Sequence, residues 1–292
     1  MISVNTKDFK VSTDIRISDL PTRLDLKIEK QLIKDRLKDV RRELSKLQDV
    51  MYAHNRYSVL ICLQGMDTAG KDSLIREVFK DFNSRGIHVH SFKKPNNTEL
   101  SHNFLWRHYI ALPAKGKFAV FNRTHYENVL ASRVHPEFIL NENLPGIEKV
   151  EDISGSFWED RFDQINDFEK HLTANGTIIL KFFLNISKEE QKQRLLRRLE
   201  EKKHNWKFSP GDLTERERWD DYMRFIGEAV NSTSTGNAPW YVVPADSKPM
   251  AILIVAQTIL DTLRQYTDIE EPPLDADIEA NIGKYITALK SE

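Results

Sequence analysis

The 292-residue sequence has a single cysteine, Cys62, so it can form no intrachain disulfide and no cysteine-rich metal centre. Lying midway along an apolar run, that thiol reads as core. No stretch approaches the ~20 apolar residues of a membrane-spanning helix. The opening residues, MISVNTKDFKVSTDIRI, lack the basic-then-apolar order of a secretory signal. A cytoplasmic chain with no membrane contact is expected. Excess charge of one sign is missing too: the net charge of −1 argues against a general nucleic-acid binder. The sequence also has no internal repeat, no low-complexity tract, and no late Asn-Lys-x-Asp with which to read guanine.

With 40% hydrophobic residues, the chain can bury a substantial core, and one large α/β domain with appendages fits this length. Its most informative stretch is GMDTAGKDS, residues 65–73, which follows the apolar run YSVLICL (57–63) and precedes Leu74, Val78 and Phe79 at helical spacing. A glycine-containing turn between strand and helix is the context a phosphate-binding P-loop requires. Gly65 and Gly70 let the backbone curl. The amides from Gly65 through Met66, Thr68, Ala69, Gly70, Lys71, Asp72 and Ser73 can then converge on an anion beside the helix N-terminus. Lys71 adds a mobile positive charge.

The loop departs from the usual Gly-Lys-Ser/Thr ending, because Asp72 follows Lys71 and Ser73 comes one later, while Asp67 sits inside the loop. Like charges ~4 Å apart at an effective dielectric near 20 repel by about 4 kcal/mol. A divalent cation between Asp67 and phosphate oxygens removes that penalty, and Mg²⁺, with Mn²⁺ as a substitute, is the expected cofactor. Asp72 either shares that role or caps the first helical turn.

Along the chain, Ile28, Leu32, Leu37, Val40, Leu44, Leu47 and Met51 mark a long amphipathic helix over 23–51, expected to pack on its own chain. Strands are expected at 57–63, 87–92, 117–121, 177–184 and 240–243. Helices are expected at 98–109, 125–134, 157–172, 187–202, 215–230 and 248–266. Such alternation predicts a three-layer α/β fold, a parallel sheet flanked by helices with right-handed crossovers and ligands at the strands' carboxyl ends. The expected division is an N-terminal extension (1–55), a core (56–267) carrying a lid near 200–214, and a tail (268–292) whose final amphipathic helix docks. Residues 141–150 read as a loop.

A second polar cluster, FNRTHY (121–126), leaves the third strand at its carboxyl end. Arg123 is suited to clamp phosphate bidentately. Asn122 occupies the place where P-loop proteins typically carry a metal-binding acid, so Glu127 or Glu137 is a candidate to complete the metal shell. His125 and Tyr126 read equally well as structural or functional. Between 192 and 207 lie Lys192, Arg194, Arg197, Arg198, Lys202, Lys203 and Lys207 against Glu200 and Glu201. This is either a concentrated anion site or a solvated helix face. Arg194, Arg198, Lys202 and Lys203, with Lys93 and Lys94, are candidates for a polyanion track. Trp206 either stacks on a base or packs the lid.

The sequence resembles the polyphosphate kinase 2 family of P-loop phosphotransferases. The likeness rests on GMDTAGKDS (65–73), FNRTHYENVL (121–130), ISKEEQKQRLLRR (186–198), W-x-x-Y at Trp219 and Tyr222, and TSTGNAPWYVVPADSK (233–248), and spans roughly 30–267. The resemblance implies a P-loop nucleotide-kinase-like fold with a lid. It also implies Mg²⁺-dependent, reversible phosphoryl transfer between inorganic polyphosphate and AMP or ADP, giving ADP or ATP. Asp67, Lys71 and Arg123 match family positions tied to chemistry, and Arg194 and Arg198 match its basic helix. Asn122, Arg123, Glu127 and Trp206 are the expected nucleotide contacts. Asn122 with His125 and Glu127 looks like the subgroup accepting both AMP and ADP. A homo-oligomer, dimer or tetramer, is implied as well. Two rivals stay open at this point: an ATP-dependent nucleoside monophosphate kinase of the thymidylate kinase type, and a nucleotide-gated switch or scaffold.

Overall fold

The computed structural model describes residues 4–24 and 28–292. Among these, five strands, β1 (Ser58–Gln64), β2 (Ile87–Ser91), β3 (Phe118–Asn122), β4 (Thr177–Asn185) and β5 (Trp240–Pro244), form one parallel sheet in the order β2-β3-β1-β4-β5. β1 is central and buried along its whole length, as its SVLICLQ composition demands of a strand covered on both faces. Its neighbours on the two sides come from different stretches of the chain, so the crevice at its carboxyl end lies where the winding changes direction.

Eight helices of at least one full turn matter to the argument: α1 (Lys30–His54), α2 (Lys71–Val78), α3 (Gly155–Ala174), α4 (Lys188–Glu200), α5 (Gly211–Glu217), α6 (Trp219–Thr233), α7 (Lys248–Leu263) and α8 (Ala276–Lys290). Val59, Ile61 and Leu63 of β1 point to one face, where they meet Leu74 of α2 and Leu253 of α7, with Val40, Leu44 and Met51 of α1 in the same core. Leu60 and Cys62 point to the other, with Phe168 and Leu172 of α3. α7 is apolar nearly all round because α1 covers the side turned away from the sheet. The long N-terminal helix is therefore a structural layer packed on its own chain.

Each expected strand is present within one residue at either end. The helices differ more. α1 starts at Lys30; residues 23, 24, 28 and 29 are not helical, and 25–27 lie outside the described residues. The helix expected over 98–109 is two short turns, Asn97–Leu100 and Trp106–Tyr109, because the side chains of Asn96, Ser101, His102 and Asn103 take up local backbone groups. Residues 125–134 break likewise, since the Asn128 side chain donates to the His125 carbonyl. Arg218 interrupts the helix expected at 215–230, separating α5 from α6. The stretch expected as a lid forms a 3₁₀ segment, Lys202–Lys207, followed by α5.

Candidate active site

The loop after β1 closes into a cup through backbone conformations that favour glycine: Gly65 has φ 157° and Gly70 φ 110°. Thr68, at φ 66°, takes a left-handed conformation costly for a β-branched residue. That strain is held from outside. All five N–H donors of Arg194 are engaged: Nη1 with the carbonyls of Thr68 and Ala69 (both 3.0 Å), Nη2 with those of Ala245 (2.8 Å) and Asp246 (3.1 Å), and Nε with Glu190 (2.8 Å). This corrects the expectation for Arg194: it is a buried brace between the loop and the end of β5, with no donor left for a phosphate. Gln191 adds a bond from its Nε2 to the Asp67 carbonyl (3.2 Å) and accepts one from Arg216 of α5 (2.8 Å), linking α5 to the loop.

Lys71 is buried and donates to the carbonyls of Gly65 (2.6 Å) and Met66 (3.4 Å). Burial, then Arg123, pulls its ammonium down to about 8, against the pull of Asp67, Glu127 and Asp72. Below that pH the cation is present before any anion arrives; above it, binding a phosphate chain must take up a proton. The dissociation constant for tripolyphosphate is therefore expected to rise about tenfold per unit between pH 8 and 10. Calorimetry in buffers of different ionisation enthalpy should register that uptake. A flat affinity accompanied by no uptake would sink the assignment.

Across the cup, Arg123 (φ 60°) places Nη2 2.6 Å from Asp67 Oδ1 and Nη1 3.7 Å from Glu127 Oε2. Glu127 first, and Asp67 after it, hold its charge more firmly than burial loosens it. Asn122 donates to Asp72 (2.9 Å), which Lys207 approaches at 3.9 Å, and Ser73 donates to the Gly70 carbonyl. Among the described residues no cluster of three or more His, Cys, Asp or Glu forms a closed metal cage. Asp67 and Glu127, gathered on one guanidinium at the mouth of the cup, fit instead a hard cation that takes one or two carboxylates and completes its shell with phosphate oxygens and water. Glu137 is exposed, pairs with His135 and does not line this space, so it is corrected out of the metal shell.

What holds Arg123 in place is buried beneath it. Lys181 of β4 donates to Glu169 of α3 (2.5 Å), to Tyr126 Oη (2.9 Å) and to the Thr233 carbonyl (2.7 Å). Tyr126 and His125 in turn reach Glu169 at 2.8 and 3.1 Å. Burial raises the Glu169 carboxyl, but Lys181 and His125 outweigh it and leave it below the usual carboxylate range. This network anchors the turn His125–Asn128 that follows Arg123. His125 and Tyr126 are thus structural supports.

A cavity of about 640 Å³ opens from the cup toward β2 and β3, of the size that binds small ligands. Met66, Asp67, Arg123 and Glu127 form its floor; Phe104 and Phe138 supply apolar wall. Lys93 and Lys94 line it as well, beyond the end of β2, whereas Arg198, Lys202 and Lys203 do not line it. Arg198 pairs with Asp212 (3.2 Å), Lys203 with Glu201 (3.1 Å), and Lys202 is exposed. Trp206 is 77% exposed in the 3₁₀ segment Lys202–Lys207 and does not line the cavity, which corrects its expected base contact. Residue patterns alone did not mark His135 and Glu215 (3.0 Å apart) or Tyr222, whose hydroxyl donates to Glu215 (2.6 Å), as cavity-lining. The W-x-x-Y spacing was the available hint for Tyr222.

A parallel sheet whose central strand feeds an amide cup, a buried lysine, and an arginine facing an acidic loop define a P-loop phosphotransferase. The family model for polyphosphate kinase 2 matches residues 27–271. The chain belongs to the polyphosphate kinase 2 family. It is 45% identical over 265 residues to the ADP-polyphosphate phosphotransferase of Rhodopseudomonas palustris, covering 90% of this chain and 91% of that one. It is 42% identical over 234 residues to the AMP/ADP-polyphosphate phosphotransferase of Meiothermus ruber, covering 80% and 82%. The crystal structure of polyphosphate kinase 2 from Arthrobacter aurescens TC1 superimposes with a TM-score of 0.87 at 36% identity, over 96% of each chain.

Proposed function

We propose that this protein moves the terminal phosphoryl group of inorganic polyphosphate onto AMP and ADP, reversibly and with Mg²⁺. The observation that carries this reading is the Arg123 guanidinium bridging loop Asp67 and Glu127 at the mouth of a nucleotide-sized cavity. The named relatives from R. palustris and M. ruber support polyphosphate as donor over ATP, the choice left open by residue patterns. The acceptor enters from the β2–β3 side, so that its phosphate oxygen lies in line with the terminal phosphorus of a chain coming across α2. The acceptor phosphate is already ionised near neutral pH, so no general base is required. Lys71, Arg123 and the loop amides neutralise the equatorial oxygens and align the reactants, and positioning with charge neutralisation is most of what phosphoryl transfer asks of a protein. Mg²⁺, held by Asp67 with Glu127, would supply further charge neutralisation on the phosphates. Purified protein given AMP or ADP, polyphosphate and Mg²⁺ without ATP should yield ADP and ATP. Product from ATP plus AMP alone would favour a nucleoside monophosphate kinase, and nucleotide binding without turnover a switch.

We also propose that the protein works as a homo-oligomer in the cytoplasm. α8 has no buried residue, and an isolated 15-residue helix containing Gly283 is marginal in water. Its exposed Ile278, Ile282, Tyr285 and Leu289 recur at spacings of four, three and four, the seam of a paired helix. Asp277 and Glu279 sit toward one end, Lys284 and Lys290 toward the other, so a second copy of α8 running antiparallel brings opposite charges together. Light scattering should show Ile282→Asp at half the wild-type mass or less, with turnover per chain readable on the dissociated species. A wild type that is already monomeric at micromolar concentration overturns this.

A further inference from the structure

α7 begins with Lys248, and no acidic residue stands in its first turn. A cation there opposes the helix dipole, a placement that costs stability rather than providing it. The crowding compounds the cost. Lys248 is itself exposed at the surface, and partial burial of its stem, then Arg194 and Arg197, pulls its ammonium below its ordinary value, with Arg198 adding to the effect and Glu190 opposing it. Among the described residues, Lys248 has no carboxylate within ion-pair distance, whereas Arg194, Arg197 and Arg198 each have one. Its ammonium is therefore exposed, unpaired and free to meet an anion.

The position says which anion. A methyl group built on Gly70 would lie 3.9 Å from both Arg194 Nη1 and Lys248 Cε, so the lysine stem borders the amide cup at the start of α2. Arg123 reaches the cup from the end of β3; Lys248 reaches it from beyond β5, on the opposite flank of the sheet. The nucleotide-sized cavity lies on the Arg123 flank, and Lys248 does not line it.

We propose that Lys248 is a binding residue for the phosphoanhydride donor, contacting phosphates behind the one being transferred and giving the donor its side of the cup. This rests on the polyphosphate reading above. Arg194 braces the loop from behind and Lys71 faces the reacting phosphate, while Lys248, bordering the cup itself, is free to meet the incoming chain at the far rim. With its tetramethylene stem and point charge it suits a repeating anion that offers equivalent oxygens at many positions.

The experiment compares Lys248→Gln and Lys248→Arg with wild type, using ADP and polyphosphate, with tripolyphosphate as a binding probe. Lys248→Gln is expected to raise KM for polyphosphate about tenfold, the loss of one charge-assisted contact, while KM for ADP and kcat at saturating donor change less than twofold. Lys248→Arg restores most of the donor affinity. The melting temperature of Lys248→Gln stays level or rises, which a structural role for the lysine would not give. An equal rise in both KM values, a fall in kcat alone, or a lower melting temperature with unchanged donor KM overturns the proposal. If wild type makes no ATP from polyphosphate but the probe's affinity still falls about tenfold in Lys248→Gln, the functional reading fails while the binding residue stands. If the probe binds equally to both proteins, the residue assignment is the one that fails.

Discussion

Lys71→Met is expected to lower kcat for phosphoryl transfer by about 10²–10³, the usual cost of removing one preorganised charge from a transition state, while the protein stays folded. The stability side follows from the buried ammonium. Its value near 8 in the folded chain lies below the ordinary 10.5, so the folded state holds the proton less tightly than the unfolded one. The resulting penalty, of the order of 3 kcal/mol, is fully present below pH 8 and disappears as the pH rises past the unfolded value. The ligand-free wild type should therefore gain stability between pH 8 and 10.5, and Lys71→Met should lack that gain. At pH 7 the variant is expected to melt no lower than wild type, because the lost bonds to the Gly65 and Met66 carbonyls are set against a cation that no longer has to be desolvated. A variant with more than a tenth of wild-type kcat would remove Lys71 from the chemistry. One that unfolds at room temperature would show that the loop needs the lysine for structure.

The second large effect lies away from the phosphates. Lys181→Met leaves Glu169 buried opposite an apolar group, and breaking one side of such a pair costs about 3–5 kcal/mol. Tyr126 loses its bond from Lys181, and the Glu169 carboxylate that Tyr126 and His125 both reach is left uncompensated, so the turn that carries Arg123 loosens and kcat falls in the surviving folded fraction. In wild type the Glu169 carboxyl sits below the usual range because Lys181 and His125 outweigh its burial. Its share of stability is thus present above the unfolded carboxylate value and lost as pH falls. In Lys181→Met the carboxyl can take up a proton instead, so the deficit against wild type should narrow toward acid pH. Adding Glu169→Gln to Lys181→Met should recover much of the loss, since replacing both charges removes the unpaired one. Urea unfolding of the four proteins decides. A single-variant cost below about 1 kcal/mol, or a double variant no better than Lys181→Met, would mean the pair is not what holds this turn.

Strand positions were legible because period and composition act locally. YSVLICL, KFAVF, TIILKFFL and WYVV are too apolar to be anything but buried strands between turn signals, and all are found as such. The cup was legible for a similar reason: glycine spacing around Lys71 expresses a backbone requirement carried by the residues themselves. Helix continuity was less so. At Ser101–Asn103 and at Asn128 the side chains compete with the helix for backbone groups, and that competition is settled by geometry an apolar pattern does not encode.

The fate of the charged residues was not legible at all. Arg194 and Arg198 lie four apart on one helix and look alike in sequence. Yet the first turns inward to five backbone and side-chain oxygens, and the second pairs with Asp212 of α5. Lys93 and Lys94, grouped by charge with Lys202 and Lys203, line the cavity beside Arg123, and Lys202 and Lys203 do not. Lys181 and Glu169, twelve residues apart on a strand and a helix, gave no local sign of meeting in the interior.

By itself, then, the sequence determined that a parallel sheet would deliver an amide cup with its own acid and lysine, since glycine conformational freedom and apolar periodicity are properties of short segments. Only the tertiary structure decided which cations face the phosphate path and which support the loop. The direction and partners of a long charged side chain depend on carbonyls and carboxylates brought up from distant elements, here the ends of β3, β4 and β5 and the helices packed over them.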